Sequence, residues 1–341
     1  MDYDLKMNSL FEKTKPKEAL LRYDKAFSAF LSNFMADNPE MVEVHCPFCE
    51  GEAFFEAFIL ENCRYLRCKT CESLYNSPRL SKKELNNFYS KQPIENFYSE
   101  SLPSLRERRI QFIMQPRWNI LSNKLINNGV TFPVDKVMEV GAGIGYFIEV
   151  MQKDNAARRY VAVEPAKASH PYLQCLPNTD IVSTVLEEAP AGICCESNLI
   201  FLNSVIEHPF SLKSFFDKIS HYLKPEGIVA IVDMHSGGFD IEILKGEAQN
   251  VNPHLILQIG SIEGLRQLGK LHNLDLIDTF SMGEMDIDIL YSYSRNLPLN
   301  HPLSGFSRLL EKSALRKDIQ AVLKKHLATG YNGYILQKNL K

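Results

Sequence analysis

Four cysteines stand at a spacing that suits a metal ion. Cys46-Pro-Phe-Cys49 and Cys68-Lys-Thr-Cys71 are two C-x2-C pairs separated by 18 residues, which is within the range of a four-thiolate zinc site. Two such turns supply the four sulfurs of a closed tetrahedral site, in which no position remains for a substrate. The spacing therefore predicts that these cysteines hold a structural zinc ion, with four buried reduced thiols as the alternative.

A glycine-rich loop is the second feature with chemical meaning. Gly141, Gly143 and Gly145 follow an apolar stretch and precede a helical pattern, a setting in which the backbone can approach a nucleotide-like ligand closely. The third glycine comes two residues after the second, which departs from the dinucleotide-binding pattern, and no Walker lysine or serine follows. The next predicted strand ends at Glu164, where an acid can bind both ribose hydroxyls. We therefore expect an adenosine ligand without phosphates.

The elements that must position these residues alternate between strand and helix. Strands are predicted to end at 140 and to cover 160–163, 180–182, 198–202, 228–232, 274–280 and 333–336, with helices at 212–223, 262–271 and 306–327. This alternation predicts an α/β fold with a doubly wound parallel sheet. Ligands of such sheets lie beyond the carboxyl ends of the strands. There Gly141, Glu164, Asn203 and His208 would converge.

The rest of the chain divides by pattern into further segments. An N-terminal helical segment covers 1–40, a zinc ribbon with strands at 53–60 and 64–67 covers 41–80, and a helical linker that could cover the substrate covers 81–130. Residues 131–341 form the ligand-binding domain, with an insertion at about 284–330. The amphipathic stretch at 17–37 predicts a helix that packs on the protein or forms a homodimer.

Composition excludes several classes of protein. Of 341 residues, 45% are hydrophobic and 23% charged, as in an ordinary globular protein. The net charge is −3, with 18 basic and 17 acidic residues up to position 130 and 20 and 24 after it, so neither half has the excess positive charge that binding of nucleic acid requires. The acidic start and the lack of a long apolar stretch argue against a signal peptide and a membrane span. A cytoplasmic protein with reduced cysteines is expected.

These motifs together resemble those of the class I S-adenosylmethionine-dependent methyltransferases. The resemblance rests on the loop 139–145, Glu164, Ile206-Glu207-His208 and Leu223-Lys-Pro-Glu-Gly227. The block 67–79 with the following Glu84-Leu85-x-x-Phe88-Tyr89 resembles the zinc-ribbon lead-in of a subgroup in polysaccharide and nucleotide-sugar biosynthesis. The family resemblance implies a Rossmann-like seven-stranded sheet and S-adenosylmethionine as the cofactor.

The resemblance also implies roles in cofactor binding. The three glycines would pass under the methionine and ribose parts, Glu139 would fix the loop or the amino group of the cofactor, and Glu164 would hold the ribose. Asn203 would stand at the same edge. Leu186 would pack on adenine, or else it is a core leucine.

Candidate catalytic residues follow the fourth predicted strand. Glu207 and His208 stand where such enzymes place residues that face the acceptor, and a histidine that titrates near neutrality can remove a proton from it. His208 is therefore a candidate general base, with a structural histidine as the alternative. His254 is a second candidate by the same resemblance. Tyr89 and Tyr98 could cap the acceptor pocket, or be half-buried structural tyrosines.

The arginines of the linker, at 106, 108, 109 and 117, are most simply a solvated helix face, although one of them could bind an anionic substrate such as a nucleotide diphosphate.

The sequence as a whole predicts methyl transfer to a small hydroxylated metabolite, a sugar or nucleotide-sugar, with oxygen, nitrogen and carbon acceptors all open. One alternative is an RNA methyltransferase whose ribbon grips the RNA. A non-catalytic cofactor-binding scaffold is the other.

Overall fold

The computed structural model describes residues 17–93, 103–248 and 251–340, whose strands form three sheets. In chain order the strands are β1 Met41–Val42, β2 Phe54–Leu60, β3 Cys63–Cys68, β4 Leu74–Asn76, β5 Arg79–Leu80, β6 Val134–Val140, β7 Ala157–Val163, β8 Thr179–Val182, β9 Ser197–Asn203, β10 Leu223–Met234, β11 Gln258–Ile259, β12 Leu274–Ser281 and β13 Tyr331–Lys338. The strands predicted from the sequence are therefore present, with ends that differ by a few residues.

The helices pack around these sheets. They are α1 Lys17–Ala36, α2 Lys82–Lys91, α3 Arg106–Arg109, α4 Gln115–Asn127, α5 Tyr146–Lys153, α6 His170–Leu173, α7 Ala191–Cys194, α8 Leu212–Tyr222, α9 Phe239–Leu244, α10 Ile262–Leu271, α11 Asp286–Arg295, α12 Gly305–Leu309 and α13 Ser313–Lys325. A π-helical turn, Ile110–Met114, joins α3 to α4. Among the described residues, no helix is both long and apolar enough to cross a membrane.

The large sheet has seven strands in the order β12-β13-β10-β9-β6-β7-β8. This confirms the predicted α/β fold of the Rossmann-like methyltransferase type. One strand departs from the parallel arrangement, since β13 runs antiparallel to both β10 and β12. The reason is that β12 and β13 are neighbours and the chain between them starts and finishes at the same end of the strands, so no crossover connection is needed.

Side chains that point alternately to the two faces of this sheet form a hydrophobic core on each face. In β9, Ile200 and Leu202 belong to one buried cluster and Leu199 and Phe201 to another, as the two-residue period of a strand requires. Helices α8 and α10 cover the first face, and α4 and α5 cover the second. Both faces of the sheet are therefore covered, and a ligand can reach the sheet only at the ends of its strands.

A second sheet, here called the cysteine sheet, consists of β2, β3, β4 and β11 in the order β11-β4-β3-β2. Its strand β11 comes from the chain beyond β10, and its pairing with β4 was not predicted from the sequence. The register places Gln258 opposite Tyr75 and Ile259 opposite Leu74. The N-terminal cysteine region is thus joined through a shared sheet to the part of the chain that follows the fifth strand of the large sheet.

The helix α1 packs on the body of the protein. Phe27, Leu31 and Phe34 are buried in one cluster with Phe88 of α2 and Leu257, and the ring of Phe34 meets that of Phe88 at 5.3 Å in a T-shaped pair. This arrangement agrees with the packing interpretation of the amphipathic stretch.

The predicted helix at 306–327 is wrong as a single element, because the structure divides it into α12 and α13. Arg316, only 1% exposed, stabilises the break. Its guanidinium donates to the carbonyls of Leu310 and Glu311, which lie at the break, and its Nε donates to Asp288 Oδ1 at 2.8 Å. Carbonyls that a continuous helix would satisfy are thus satisfied by a side chain.

Candidate functional site

The glycine loop forms a tight turn directly after β6. Gly141, Gly143 and Gly145 all have positive φ, at 68°, 54° and 81°, which is costly for residues with a side chain. A Cβ at Gly141 would lie 2.8 Å from a methyl group of Val205, and one at Gly145 would lie 2.5 Å from a methyl group of Leu176, whereas a Cβ at Gly143 would meet nothing within 4 Å. The outer side of Gly143 is therefore open to a ligand.

Glu164 stands at the end of β7 with its carboxylate fixed by the backbone. Its Oε2 accepts from the Gly143 N–H at 2.7 Å and its Oε1 from the Ala166 N–H at 2.8 Å. Glu164 is 7% exposed, and a carboxylate oxygen has two lone pairs and can accept more than one hydrogen bond. This arrangement fits a ribose, whose two hydroxyls are such donors.

Glu139 lies beneath the loop on β6 and is 4% exposed. Its Oε2 has no hydrogen-bond partner among the described residues, and burial raises the pKa of the carboxyl well above its usual range. A buried carboxyl in this condition fits a cationic amino group nearby, which would satisfy the oxygen and favour ionisation. The residues of the loop and its two acids therefore fit an aminoacyl nucleoside such as S-adenosylmethionine.

His208 lies in the loop that follows β9, at the same edge of the sheet. Its Nδ1 bonds to the Leu255 carbonyl at 2.9 Å, so Nδ1 carries the proton and Nε2 has a free lone pair. The Nε2 atom lies 3.9 Å from Glu207 Oε1, and 40% of the histidine side chain is accessible. Burial lowers the pKa of the imidazole, which favours the neutral form that a general base requires.

Tyr89 stands beside this histidine. Its hydroxyl donates to the Leu255 carbonyl at 3.3 Å and lies 3.5 Å from His208 Nδ1, and the two rings meet edge to face at 6.4 Å. The structure thus places Tyr89 at the candidate acceptor site, while Tyr98 lies outside the described residues.

Three further residues near this edge were missed or misread in the sequence. Asp233, at the end of β10, accepts from the backbone N–H groups of Val205 and Ile206 at 3.0 and 3.1 Å. Burial and the neighbouring Glu207 carboxyl raise the pKa of Asp233 well above its usual range. The sequence did contain a signal for Asp233, since an acid ends the fifth predicted strand as Glu164 ends the second.

The sequence contained no signal for Tyr331, because only the reversed direction of β13 brings this residue to the same edge.

Arg117 does not lie on a solvated helix face, as the simplest interpretation of the linker arginines held. Its Nη1 donates to Asn203 Oδ1 at 3.2 Å and its guanidinium lies over the ring of Tyr331 at 5.1 Å. The reason is that α4 covers one face of the sheet, and Arg117 reaches from this helix to Asn203, the last residue of β9. Arg106 by contrast is exposed and pairs with Glu149.

Two other predicted site residues are buried. Leu186, in a short 3-10 turn after β8, is 2% exposed and belongs to the core cluster under the sheet. His254 is 1% exposed, packs edge to face on Phe88 at 6.0 Å, and has a pKa lowered to about 4 by burial. Contact of Leu186 with adenine and of His254 with the acceptor remain predictions.

The four cysteine sulfurs converge at the base of the cysteine sheet, all within 4.8 Å of one another. The Sγ atoms of Cys46 and Cys71 are 3.5 Å apart, as are those of Cys49 and Cys68. Four sulfurs at about 2.3 Å from a tetrahedral zinc ion stand about 3.8 Å apart, so the cluster fits the ion. Burial raises the pKa of Cys49 to about 12, and a bound cation is what would keep such a thiol ionised.

Comparisons with known proteins agree with this geometry. Residues 100–279, more than half of the chain, match a family model described as a methyltransferase domain. No curated protein matches the sequence.

Solved structures are similar at low identity. A geranyl diphosphate C-methyltransferase from Streptomyces coelicolor A3(2) has 13% identity and a TM-score of 0.43, with 64% of this chain and 76% of that chain covered. A phosphoethanolamine N-methyltransferase 2 from Haemonchus contortus has 15% identity and a TM-score of 0.48, with 78% of this chain and 62% of that chain covered. Likeness at this level carries no information about the acceptor.

Proposed function

The chain belongs to the methyltransferase-domain family, and on that premise we propose that it transfers the methyl group of S-adenosylmethionine to a small hydroxylated metabolite, a sugar or sugar nucleotide. The observation that carries this proposal is the presence, at one edge of the sheet, of an acid whose position suits a ribose and of a histidine whose Nε2 suits a general base. Glu164 is fixed by the Gly143 amide, and His208 is fixed through its Nδ1 by the Leu255 carbonyl.

The residues that would hold the cofactor follow from the site. Glu164 would bind the ribose hydroxyls, Glu139 the amino group, and the open side of Gly143 would face the ligand. Asn203, at the end of β9, would contact it from the neighbouring strand. When bound, the sulfonium supplies both the methyl group and a good leaving group, so the protein has to align the acceptor and remove its proton.

His208 would take that proton at Nε2. Its imidazole is held in the tautomer that leaves Nε2 basic, and Glu207 stands within 3.9 Å to stabilise the imidazolium that forms. Tyr89 meets the imidazole ring edge to face at 6.4 Å. These residues act on a hydroxyl acceptor; a nitrogen or carbon acceptor would place the same histidine against an N–H or C–H bond.

The acceptor class rests on two supports. The zinc-ribbon lead-in resembles that of methyltransferases in nucleotide-sugar biosynthesis. Arg117 brings a cation to the same edge of the sheet, between Asn203 and Tyr331, where it could bind a diphosphate. The cysteine cluster would hold zinc as a structural ion, because its four sulfurs leave no position for the acceptor.

The test is methyl transfer from radiolabelled S-adenosylmethionine to a panel of sugar nucleotides, with RNA as the comparison acceptor. We expect label in a sugar nucleotide and at least about a hundredfold loss of turnover in His208→Gln, the lower range for removal of a general base. Binding of S-adenosylhomocysteine should be unchanged in that variant. Turnover within a few fold of wild type would remove the base role.

Label in RNA alone would overturn the proposed acceptor. No label in any acceptor, with no thermal shift by S-adenosylhomocysteine, would favour a scaffold that only keeps the fold. Light scattering on the same preparation tests whether the chain also forms the homodimer that the amphipathic stretch at 17–37 left open.

A further inference from the structure

The loop that carries Glu207 and His208 is bound along its length by one short segment, residues 255–258. The Leu257 N–H donates to the Glu207 carbonyl at 2.8 Å. The amide nitrogen of Gln258 donates to the carbonyls of Ile206 and Pro209, at 2.9 Å each. With the bond from His208 Nδ1 to the Leu255 carbonyl, this segment fixes both the backbone of the loop and the imidazole.

The same segment is held on its other side by the cysteine sheet. Gln258 pairs with Tyr75 through β11 and β4, and the Asn76 N–H donates to the Leu257 carbonyl at 2.9 Å. The hydroxyl of Tyr65 donates to the Ile256 carbonyl at 2.8 Å. Residues 255–258 are thus a bridge, with the cysteine sheet on one side and the acceptor loop on the other.

Arg79 fixes the side chain at the centre of this bridge. Its guanidinium is 1% exposed, and its Nη1 donates to Gln258 Oε1 at 2.9 Å. Because that oxygen accepts from an arginine, which has only donors, the amide nitrogen of Gln258 must face the carbonyls of Ile206 and Pro209. The two bonds from the glutamine to the loop therefore depend on Arg79.

The burial of this arginine points to a positioning role. Among the residues that the structure describes, Arg79 forms no ion pair, and its Nε and Nη2 have no hydrogen-bond partner. An unpaired buried charge destabilises a fold, and an apolar residue of similar volume is often neutral or stabilising there. Its Nη1 donates to Gln258 Oε1 and, at 3.4 Å, to the carbonyl of Phe210, which follows the loop directly, and a methionine could supply neither bond.

We propose that Arg79 is a positioning residue, which acts through Gln258 to hold the loop Ile206–Pro209 so that His208 keeps its Nδ1 on the Leu255 carbonyl and its Nε2 available to the acceptor. The cysteine sheet is then part of the acceptor site's support. The inference rests on the proposed function for the catalytic meaning of His208, but the positioning itself can be measured without an acceptor.

The experiment observes the His208 imidazole directly. Full-length protein loaded with zinc and labelled at its histidines is titrated by NMR, and the His208 signal is assigned as the one that disappears in His208→Gln. The groups that face this ring are Tyr89 from α2, Glu207 from its own loop and Asp233 from β10, and all are retained in the test variants.

In Arg79→Met we expect the pKa of His208 to rise towards the ordinary value of about 6.5, and the nitrogen shifts to show a mixture of the two tautomers. Arg79→Lys, which keeps the charge and can offer one donor, should give an intermediate result. Zinc content and the thermal shift by S-adenosylhomocysteine should remain as in wild type.

The matched control is Arg64→Met. Arg64 also belongs to the cysteine sheet and donates to a backbone carbonyl, that of Ser77, at 2.9 Å, but it does not touch the bridge. Its removal should leave the His208 titration unchanged.

An unchanged His208 titration and tautomer in folded Arg79→Met, or in Arg79→Lys if the methionine variant does not fold, would overturn the positioning role. If wild type itself shows no thermal shift by S-adenosylhomocysteine, the proposed function fails, yet the His208 readout still decides the role of Arg79.

Discussion

Glu164 Oε2 accepts a hydrogen bond from the Gly143 N–H at 2.7 Å, which joins the acid at the end of β7 to the glycine loop after β6. One short contact thus aligns the two features that the sequence showed separately. The carboxylate is already oriented before any ligand binds, so binding need not order it.

Removal of this carboxylate should weaken the cofactor site selectively. In Glu164→Gln we expect at least about tenfold weaker binding of S-adenosylhomocysteine, because a hydrogen bond to a charged group contributes about 1.5–3 kcal/mol. Isothermal titration measures the affinity. Asp275→Asn, an exposed carboxylate on β12, is the control. Equal affinity in Glu164→Gln and wild type would contradict the ribose-binding role.

The substitution Gly143→Ala tests whether a ligand occupies the open space beside Gly143 without disturbing the fold. Its Cβ meets no protein atom within 4 Å, so only the positive φ opposes it, at about 1–2 kcal/mol. We expect a folded protein whose thermal shift by S-adenosylhomocysteine is lost. Gly192→Ala, also free of contacts and without positive φ, should keep the shift. A full shift in Gly143→Ala would mean that the ligand does not pass on this side of the loop.

The cysteine cluster should contain one zinc ion per chain. Metal analysis of Cys49→Ser should give well under one equivalent, since a closed site needs all four thiolates, and its thermal stability should fall because metal binding is coupled to folding. Cys175→Ser replaces an exposed cysteine outside the cluster and should keep both. A metal-free wild-type protein of unchanged stability would contradict the assignment.

His254 predicts a pH dependence of stability. Burial lowers its pKa to about 4, so between pH 4 and 6.5 the unfolded chain binds more protons than the folded one. The contribution of the neutral, buried His254 to the free energy of unfolding is complete above about pH 6.5. It is lost as the pH falls towards 4, by up to about 3 kcal/mol. His254→Asn, which suits the φ of 61°, should therefore lose less stability on acidification in denaturant titrations.

The control for that experiment is His326→Asn, which replaces an exposed histidine and should follow the wild-type curve. The same pH slope in wild type and His254→Asn would show that His254 does not titrate as a buried group.

Arg316 should be essential to the helices between β12 and β13. Arg316→Met leaves Asp288 without its 2.8 Å partner and removes the donors to the carbonyls at the break between α12 and α13, so we expect a loss of about 3–5 kcal/mol in the free energy of unfolding. Urea unfolding measures it. Lys317→Met, at the next, exposed position, should change it by less than about 0.5 kcal/mol. Similar values for the two variants would contradict the prediction.

The sequence by itself determined the local parts of this protein. The cysteine spacing, the strand before Gly141 and the acid at Glu164 are all patterns within a few residues. Their convergence could be predicted because parallel strands joined by helices end at one edge of the sheet. The place of His208 at this edge was predicted in the same way, because it follows a strand, whereas its role as a base stays a prediction.

Only the tertiary structure decided the contacts between distant segments. Arg79 and Gln258 are 179 residues apart, and neither residue type nor spacing shows that they meet. The antiparallel course of β13, which brings Tyr331 beside Arg117, likewise depends on where the intervening helices return the chain. Local patterns fix which residues stand at strand ends, but partners across elements depend on how whole faces pack, and that is a property of the assembled fold.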